Sequence, residues 1–388
     1  MSRKIRVGVI FGGRSGEHEV SLMSASSIIS AIDKSKYEVV PIGITRSGRW
    51  LLSGDPLKAL RAGIEEAPGT PLAFLTDPGK PALVKLSETG GAMVPAAAGP
   101  GGAVEGAAGA GTVSVSVDVV FPVLHGPYGE DGTVQGLLEL ANLPYVGAGV
   151  LASAVGMDKA MAKAIWRERG LPIVDYLVCL RREWEQRPDA VVREIEVKFG
   201  YPVFVKPANL GSSVGISKAH DHDELYRAMA LAARYDRRIL AEKAVDAREI
   251  ECSVLGNDDP VASIPGEIVP CNEFYDYDAK YIDERSELKI PADLPPGVAA
   301  EVRRLAVEAF KAIDGAGMAR ADFFLERGTD VLYINEVNTI PGFTKISMYP
   351  KLWEASGLSY PDLINRLIEL AVDRHADKNR SETAYRAE

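Results

Sequence analysis

Glu336 and Asn338 sit two residues apart in the apolar run LYINEVNTIPGFT, Leu332 to Thr344, which stops abruptly at Pro341-Gly342. Residues i and i+2 of a strand project from one face, so both would offer oxygen where a packed sheet favours Val or Ile. The preceding RADFFLERGTD adds a second apolar run and a Gly-Thr-Asp turn, which predicts an antiparallel hairpin. With Gly328, Thr329 and Asp330 as the loop and Arg327 opposite Val331, Phe324 faces Ile334, Asp322 faces Glu336 and Arg320 faces Asn338. Directly opposed residues share a face, and two opposed carboxylates repel unless a cation lies between them. Two carboxylates and an amide oxygen suit Mg²⁺, a hard cation whose shell is completed by water and phosphate oxygens. The bland alternative is a solvated face, but the bulky Phe323, Leu325 and Tyr333 point to a covered sheet. A one-residue slip in register would turn the whole set away.

Other stretches could serve the same chemistry. PANLGSSVGI, Pro207 to Ile216, follows the strand YPVFVK. Its Gly211, Ser212, Ser213, Val214 and Gly215 form a small-residue loop whose N–H groups can close over phosphates, with Lys206 adding charge at the strand end. It is no Walker A loop, which needs GxxxxGK[ST] leading into a helix. In HGPYGEDGTVQG, His125 to Gly136, the residues Glu130, Asp131 and Thr133 suit helix capping, and capping explains Asp131 better than catalysis does. His125 stays open as a ligand-facing group. GGRSGEHEVS, Gly12 to Ser21, matches a dinucleotide fingerprint only in part, because the third glycine is missing, so an NAD-dependent dehydrogenase is a poor reading. Glu17 within it can complement a helix N-terminus or bind an ammonium group. EFYDYDAKY, Glu273 to Tyr281, is either an ordinary loop or a lid that brings Lys280 and Tyr281 to a site.

The elements that must position these groups begin with IRVGVIF, a buried parallel strand by its unbroken apolar run. A helix over about Val20 to Asp33 and the strand EVVPIGIT complete a βαβ opening, which indicates a doubly wound α/β unit with ligands at the strands' carboxyl ends. GGAMVPAAAGPGGAVEGAAGAG, Gly90 to Gly111, has almost no charge and reads as a flexible surface insertion. LASAVGMDKAMAKAIWRERG reads as one helix stopped at Gly170 with Pro172 beyond. Next come the strands YLVCL, YPVFVKP, VGISKA and RILAEKA with helices between, then REIECSVL, the long helix PGVAAEVRRLAVEAFKAI and the hairpin. C-terminal helices follow, with a polar tail after Asp373 expected to fray.

At 388 residues, two or three domains are expected. A net charge of −10 argues against a nucleic-acid binder, whose footprint would be basic. Cys179, Cys252 and Cys271 match no ligand spacing and fit buried thiols in a reducing compartment. The N-terminal apolar run is too short for a signal peptide, and no stretch nears the roughly 18 apolar residues of a membrane span. A cytoplasmic protein with neither nucleic-acid nor membrane partners is expected.

GGRSGEHEVS, HGPYGEDGTVQG, MDKAMAK, VKPANLGSSVGI, AEKAVDAREIECSVL, FYDYDAKY, RADFF and NEVNTIPGFT together, in this order, resemble the D-alanine–D-alanine ligases of the ATP-grasp superfamily. They span almost the whole chain outside the Gly/Ala tract. The resemblance implies an α/β fold in three parts. These are a Rossmann-like domain over 1–153 with the insertion at about 88–112, a central ATP-grasp subdomain over 154–243, and a C-terminal catalytic one over 244–388, with ATP held between antiparallel sheets. It implies ATP as substrate, two Mg²⁺ ions (Mn²⁺ as a substitute) on Asp322, Glu336 and Asn338, and a homodimer. Lys159, Lys206 and Lys280 match phosphate-contacting lysines, with Ser213 in the covering loop. Glu242, Lys243, Val245 and Glu249 align with residues around adenine and ribose. Arg320 and the N–H of Gly342 would form an oxyanion hole. Glu17 would hold the first D-alanine's ammonium in a set with Ser212 and Tyr281, His125 would line that subsite, and Ser347 and Met348 would anchor the second carboxylate. The implied reaction joins two D-alanines through an acyl phosphate, for peptidoglycan precursors. Tyr281 favours D-alanine as second substrate. The alternatives are D-lactate or D-serine in that place, or a non-catalytic nucleotide-binding regulator on the same fold.

Overall fold

Val7, Val9, Ile10 and Phe11 are all fully buried in β1 (Ile5–Gly12), because parallel neighbours flank it and both faces are covered. The computed structural model describes residues 3–52, 55–62, 72–76, 78, 82–85, 114–269, 287–344 and 346–382. α1 (His18–Ala31) joins β1 to the parallel β2 (Tyr37–Ile44), and β3 (Trp50–Leu51) adds an antiparallel edge. After α2 (Pro56–Arg61), β4 (Leu72–Leu75), β5 (Ala82–Lys85) and β6 (Ser114–Val115) form a small antiparallel sheet. β5 pairs with β6 through Leu83 opposite Val115 and Val84 opposite Ser114; the Gly/Ala tract between them in sequence lies outside the described residues. β7 (Val119–Val123) closes the first sheet in the order β3-β2-β1-β7. α3 (Thr133–Leu140) follows it.

Residues 151–170 are not one helix. α4 (Val150–Met157) and α5 (Lys159–Glu168) are separated by Asp158 in an extended conformation, whose carboxylate accepts the Met161 N–H at 3.0 Å. That N-cap restarts the helix and leaves Lys159 as its first residue. Arg238 closes on the same carboxylate.

The second sheet is antiparallel throughout, in the order β10-β9-β11-β8. β8 (Tyr176–Leu180) precedes α6 (Arg181–Gln186) and α7 (Pro188–Phe199); β9 (Val203–Pro207) and β10 (Ser217–Ala219) precede α8 (His222–Tyr235) and β11 (Arg238–Lys243). Alternation sends Val203, Val205, Ile239 and Ala241 into the helices. Phe204, Lys206 and Glu242 therefore face the other way.

The third sheet runs β15-β14-β12-β16-β17, with β13 also on β12. Its strands are β12 (Ala247–Gly256), β13 (Val261–Ala262), β14 (Gly266–Val269), β15 (Glu287–Lys289), β16 (Gly317–Glu326) and β17 (Leu332–Asn338). α9 (Pro296–Ala312) seals one face with Val302, Leu305 and Phe310 against Ile250, Val254 and Phe323. The hairpin places Arg320 opposite Asn338 and Asp322 opposite Glu336 as expected. Nearer the turn the expected register fails. Phe324 pairs with Tyr333, not Ile334, because a bulge between Asp322 and Phe323 leaves Asn335 as an extra residue on β17.

α10 (Met348–Ala355) and α11 (Tyr360–Lys378) return to the first sheet, where Leu363, Ile364 and Leu367 share one core with Val7, Val9 and Phe121. The end of α11 is not frayed after Asp373. Arg374 lies over the Tyr145 ring at 4.3 Å, His375 Nε2 bonds the Asn142 carbonyl at 2.9 Å, and Lys378 pairs with Glu139. Among the described residues no helix is long and apolar enough to cross a membrane.

Gly317 opens β16 with φ +72°, and a Cβ there would lie 3.1 Å from the Gly147 backbone nitrogen. Gly317→Ala combines left-handed strain with a clash against backbone that cannot rotate away. We expect a loss of at least about 2 kcal/mol in urea unfolding, whereas Ala at the open Gly297 of α9 should be tolerated.

Candidate active site

A cavity of about 590 Å³ separates the outward faces of the second and third sheets. Lys159, Lys206, Ser213, Glu242 and Lys243 line it on one side, Glu249, Asp322 and Glu336 on the other, and Val245 in the connection between the two sheets. Lysines thus confront carboxylates across one gap, and the two sets come from segments far apart in the chain.

On the acidic wall, Glu251, Asp322 and Glu336 stand abreast on three neighbouring strands, and Ser253, Arg320 and Asn338 form the next row. Arg320 donates to both Asp322 oxygens at 2.7 Å each, and its Nε lies 3.0 Å from Glu251 Oε2. Burial opposes the guanidinium charge, but Asp322 and Glu251 outweigh it and hold the Arg320 pKa well above its ordinary value. The Asn338 amide donates to Asp322 Oδ2 at 2.9 Å, which fixes its side chain beside the carboxylates. Three acids in register against one arginine, with Lys159 Nζ 3.5 Å from Glu336 Oε2, carry surplus negative charge. Oxygen donors of this kind fit a hard divalent cation. No cluster of three or more His, Cys, Asp or Glu poised around one point occurs among the described residues, so such an ion would use the Asn338 amide and substrate oxygens.

On the basic wall, Lys159 starts α5, where the helix N-terminus favours anions. Its Nζ also donates to the Leu210 carbonyl at 2.8 Å. Ser212 and Ser213 both occupy the left-handed region, at φ +51° and +57°. Two such residues in succession store strain, and they fold the 211–215 loop over the cavity. Lys206 Nζ lies 2.5 Å from Glu242 Oε2 and 3.4 Å from the Asn335 amide oxygen, so the bulge turns Asn335 towards the lysine. Behind Glu242 lies Lys163, 1 % exposed, with Nζ 2.8 Å from Oε1. Burial works against both charges. It pushes Lys163 down, while Lys163 and Lys206 together overcome it at Glu242 and hold that carboxyl at about 2.

A second group lies towards the first sheet. The Ser212 hydroxyl bonds the Glu17 carboxylate, so the serine loop docks directly on the loop after β1. His125 is buried; its Nδ1 donates to the Ile340 carbonyl at 3.0 Å and its Nε2 lies 3.3 Å from Ser24 Oγ. Burial disfavours the charged ring, but Glu130, 3.7 Å away, and Glu17 raise the His125 pKa above its ordinary value. Glu130 is therefore the partner of His125 and no helix cap. Asp131 does accept the Thr133 N–H, at 3.0 Å.

The loop after β17 is pinned by Phe343, buried against Phe121 and Tyr349, with its carbonyl accepting from Tyr360 at 2.8 Å. Burying such a ring is worth roughly 2–3 kcal/mol. A Cβ on Gly342 would meet Ser347 Oγ at 2.8 Å, so a larger residue here would push the Ser347 hydroxyl aside. Ser347 Oγ is held by the Thr344 N–H at 3.0 Å, and Met348 buries its side chain against Ile268 and Leu352, leaving only its backbone for a ligand. Lys280, Tyr281 and Cys271 lie outside the described residues. Cys179 and Cys252 are buried, and burial pushes their thiols up to about 11 and about 12.

Glu251, Lys163, Asn335 and Glu130 were not among the expected site residues. Glu251 carried a readable signal, an acid two residues from Glu249 in the apolar strand REIECSVL. The others carried none.

Comparison with known proteins places the chain among relatives of one family. Family models described as D-ala D-ala ligase N-terminus and D-ala D-ala ligase C-terminus match residues 6–148 and 165–369. The D-alanine–D-alanine ligases of Thermoanaerobacter pseudethanolicus and Acetivibrio thermocellus are each 54 % identical to this chain, covering 97 % of it and 99 % and 98 % of themselves. Among solved structures, the D-alanine–D-alanine ligase from Coxiella burnetii superposes with a TM-score of 0.81 at 37 % identity, covering 98 % of this chain and 97 % of that one. The VanG D-Ala:D-Ser ligase from Enterococcus faecalis superposes at 0.80 with 33 % identity, over 95 % and 100 %.

Proposed function

The chain belongs to the D-alanine–D-alanine ligase family, and from that premise we infer that it joins two D-alanines with ATP, releasing ADP, phosphate and D-alanyl-D-alanine for peptidoglycan precursors. The observation that carries the reading is the cavity between two antiparallel sheets, with lysines on one wall and in-register carboxylates on the other.

The first D-alanine is held by its ammonium at Glu17, which Ser212 orients, beside His125. Its carboxylate oxygen attacks the γ-phosphorus of ATP; the P–O bond to ADP breaks and an acyl phosphate forms. Such a transfer needs positioning and charge neutralisation above all. Lys159 and Lys206 would hold phosphate oxygens, Lys280 is proposed to join them, and Ser213 covers them from the loop. Lys243, Val245 and Glu249 surround adenine and ribose at the far end, with Glu242 behind Lys206. Asp322, Glu336 and Asn338 would hold Mg²⁺, two ions in our reading, with Mn²⁺ able to substitute. Bound there, the metal would offset charge building on the phosphate oxygens. The second D-alanine's neutral amine then attacks the acyl carbon, the tetrahedral oxyanion rests on Arg320 and the Gly342 N–H, and phosphate leaves. Ser347 and Met348 open α10, whose N-terminus suits the second carboxylate. Tyr281 is proposed to complete the set with Glu17 and Ser212. We further propose a cytoplasmic homodimer and domain borders near 153 and 243.

Phosphate release with ATP, Mg²⁺ and each of D-alanine, D-serine and D-lactate as acceptor, with products identified by mass, tests the reading. We expect D-alanine alone to support turnover and to dominate any mixture. No release with D-alanine would sink it, and preference for D-serine would move the chain to the activity named for the VanG relative.

A further inference from the structure

Lys163 is not among the described residues that line the cavity, yet its ammonium touches a carboxylate that touches a cavity lysine. It lies four residues after Lys159 on α5, so both project from one side of that helix. Glu242 receives Lys163 on Oε1 at 2.8 Å and Lys206 on Oε2 at 2.5 Å, and neither Lys163 nor Glu242 is more than 3 % exposed in its side chain. Two lysines share one carboxylate, which leaves one positive charge over. Only Lys206 of the two reaches the cavity, where among the described residues it also meets the Asn335 amide at 3.4 Å and the faces of Phe204 and Phe324, each at 5.9 Å, with Asp322 and Glu336 on the opposite wall.

We propose that Lys163 is a positioning residue for the nucleotide: it takes up the charge of Glu242, so that Lys206 presents its own charge to the phosphates. Buried ion pairs contribute little net stability and are often replaceable by apolar residues, so stability alone is a weak reason for a fully buried lysine here. Without Lys163, Glu242 and Lys206 become a neutral pair and the basic wall loses one charge. The inference rests on the reading that Lys206 meets ATP phosphates.

The test is the ratio of adenosine to ATP dissociation constants, measured by titration calorimetry, with the Michaelis constant for D-alanine as a control. Lys163→Met should lower the ratio about tenfold, the scale of one close charge contact, and leave the D-alanine constant unchanged. Adding Glu242→Gln should restore the ratio, because Lys206 no longer faces a carboxylate. A collapsed wall would instead weaken adenosine and ATP together, and that result overturns the inference. Should Lys163→Met fail to fold, Glu242→Gln alone decides. It leaves both lysines charged and must raise the ratio; a lowered ratio overturns the proposal. Lys206→Met run alongside separates the failures. If it leaves ATP binding intact, the phosphate reading itself is wrong. If it weakens ATP while Lys163→Met does not, only the role of Lys163 falls.

Discussion

Glu336→Gln should reduce turnover on the order of 10³-fold, the several kcal/mol that a divalent ion contributes to a phosphoryl-transfer transition state. The substitution keeps the shape and one oxygen of the side chain and removes its charge. Glu336 sits opposite Asp322 with Lys159 at 3.5 Å, so the loss falls on the ion that the two carboxylates would share. Stability should change little. Glu336 is 22 % exposed, and the core beneath it is made by Ile334 and Val337, which are untouched. Two measurements separate a ligand from a bystander. Turnover of the variant should recover partly as Mg²⁺ is raised, and its apparent metal affinity should fall in a direct titration. Native turnover at ordinary Mg²⁺ would rule out the metal role assigned to this face.

The acidic wall could be read in the sequence because alternation sets residues two apart on one face of each strand. In the structure Arg320, Asp322, Glu336 and Asn338 keep that shared face because the bulge at Asn335 offsets by one residue a turn that sets Glu326, not Arg327, against Val331. Asn335 escaped because a bulge has no reliable composition, and this one carries neither Gly nor Pro. The break at Asp158 was legible in principle. An Asp just before Lys159 is an N-cap, but the apolar pattern on either side runs on unbroken and hid it.

Lys163 and the end of α11 mark a different limit. A lysine four residues after another on a helix is normally solvated, and only the arrival of β11 buries this one against Glu242. His375 and Lys378 hold the last helical turns through partners 233 and 239 residues away, in the loop and helix after β7. Local composition cannot report such contacts. Glu130 combines both limits: its place after a glycine suggests capping, and only the folded chain sets it beside a buried histidine.

Arg320→Lys should lower kcat by about 10²–10³-fold, the usual cost of one oxyanion-hole donor, with a much smaller change in the D-alanine Michaelis constants. The charge survives this substitution, and the geometry does not. Arg320 uses Nε and Nη2 as a fork on Asp322 while Nε also approaches Glu251, so the plane of the guanidinium is set and its remaining edge is aimed. Lysine offers a point charge that can satisfy one carboxylate but cannot be oriented by two. In the proposed mechanism Gly342 would supply the second donor from a loop that Phe343 and Tyr360 hold in place, so a displaced cation at position 320 would find no compensating movement opposite it. The affected step can be located. If Arg320 serves the tetrahedral stage, the variant still makes the acyl phosphate, and hydroxylamine should trap it as the hydroxamate at near-native rate while dipeptide formation is slow. Equal losses in trapping and in dipeptide would place Arg320 at phosphoryl transfer instead, and a kcat within threefold of native would remove it from the oxyanion hole.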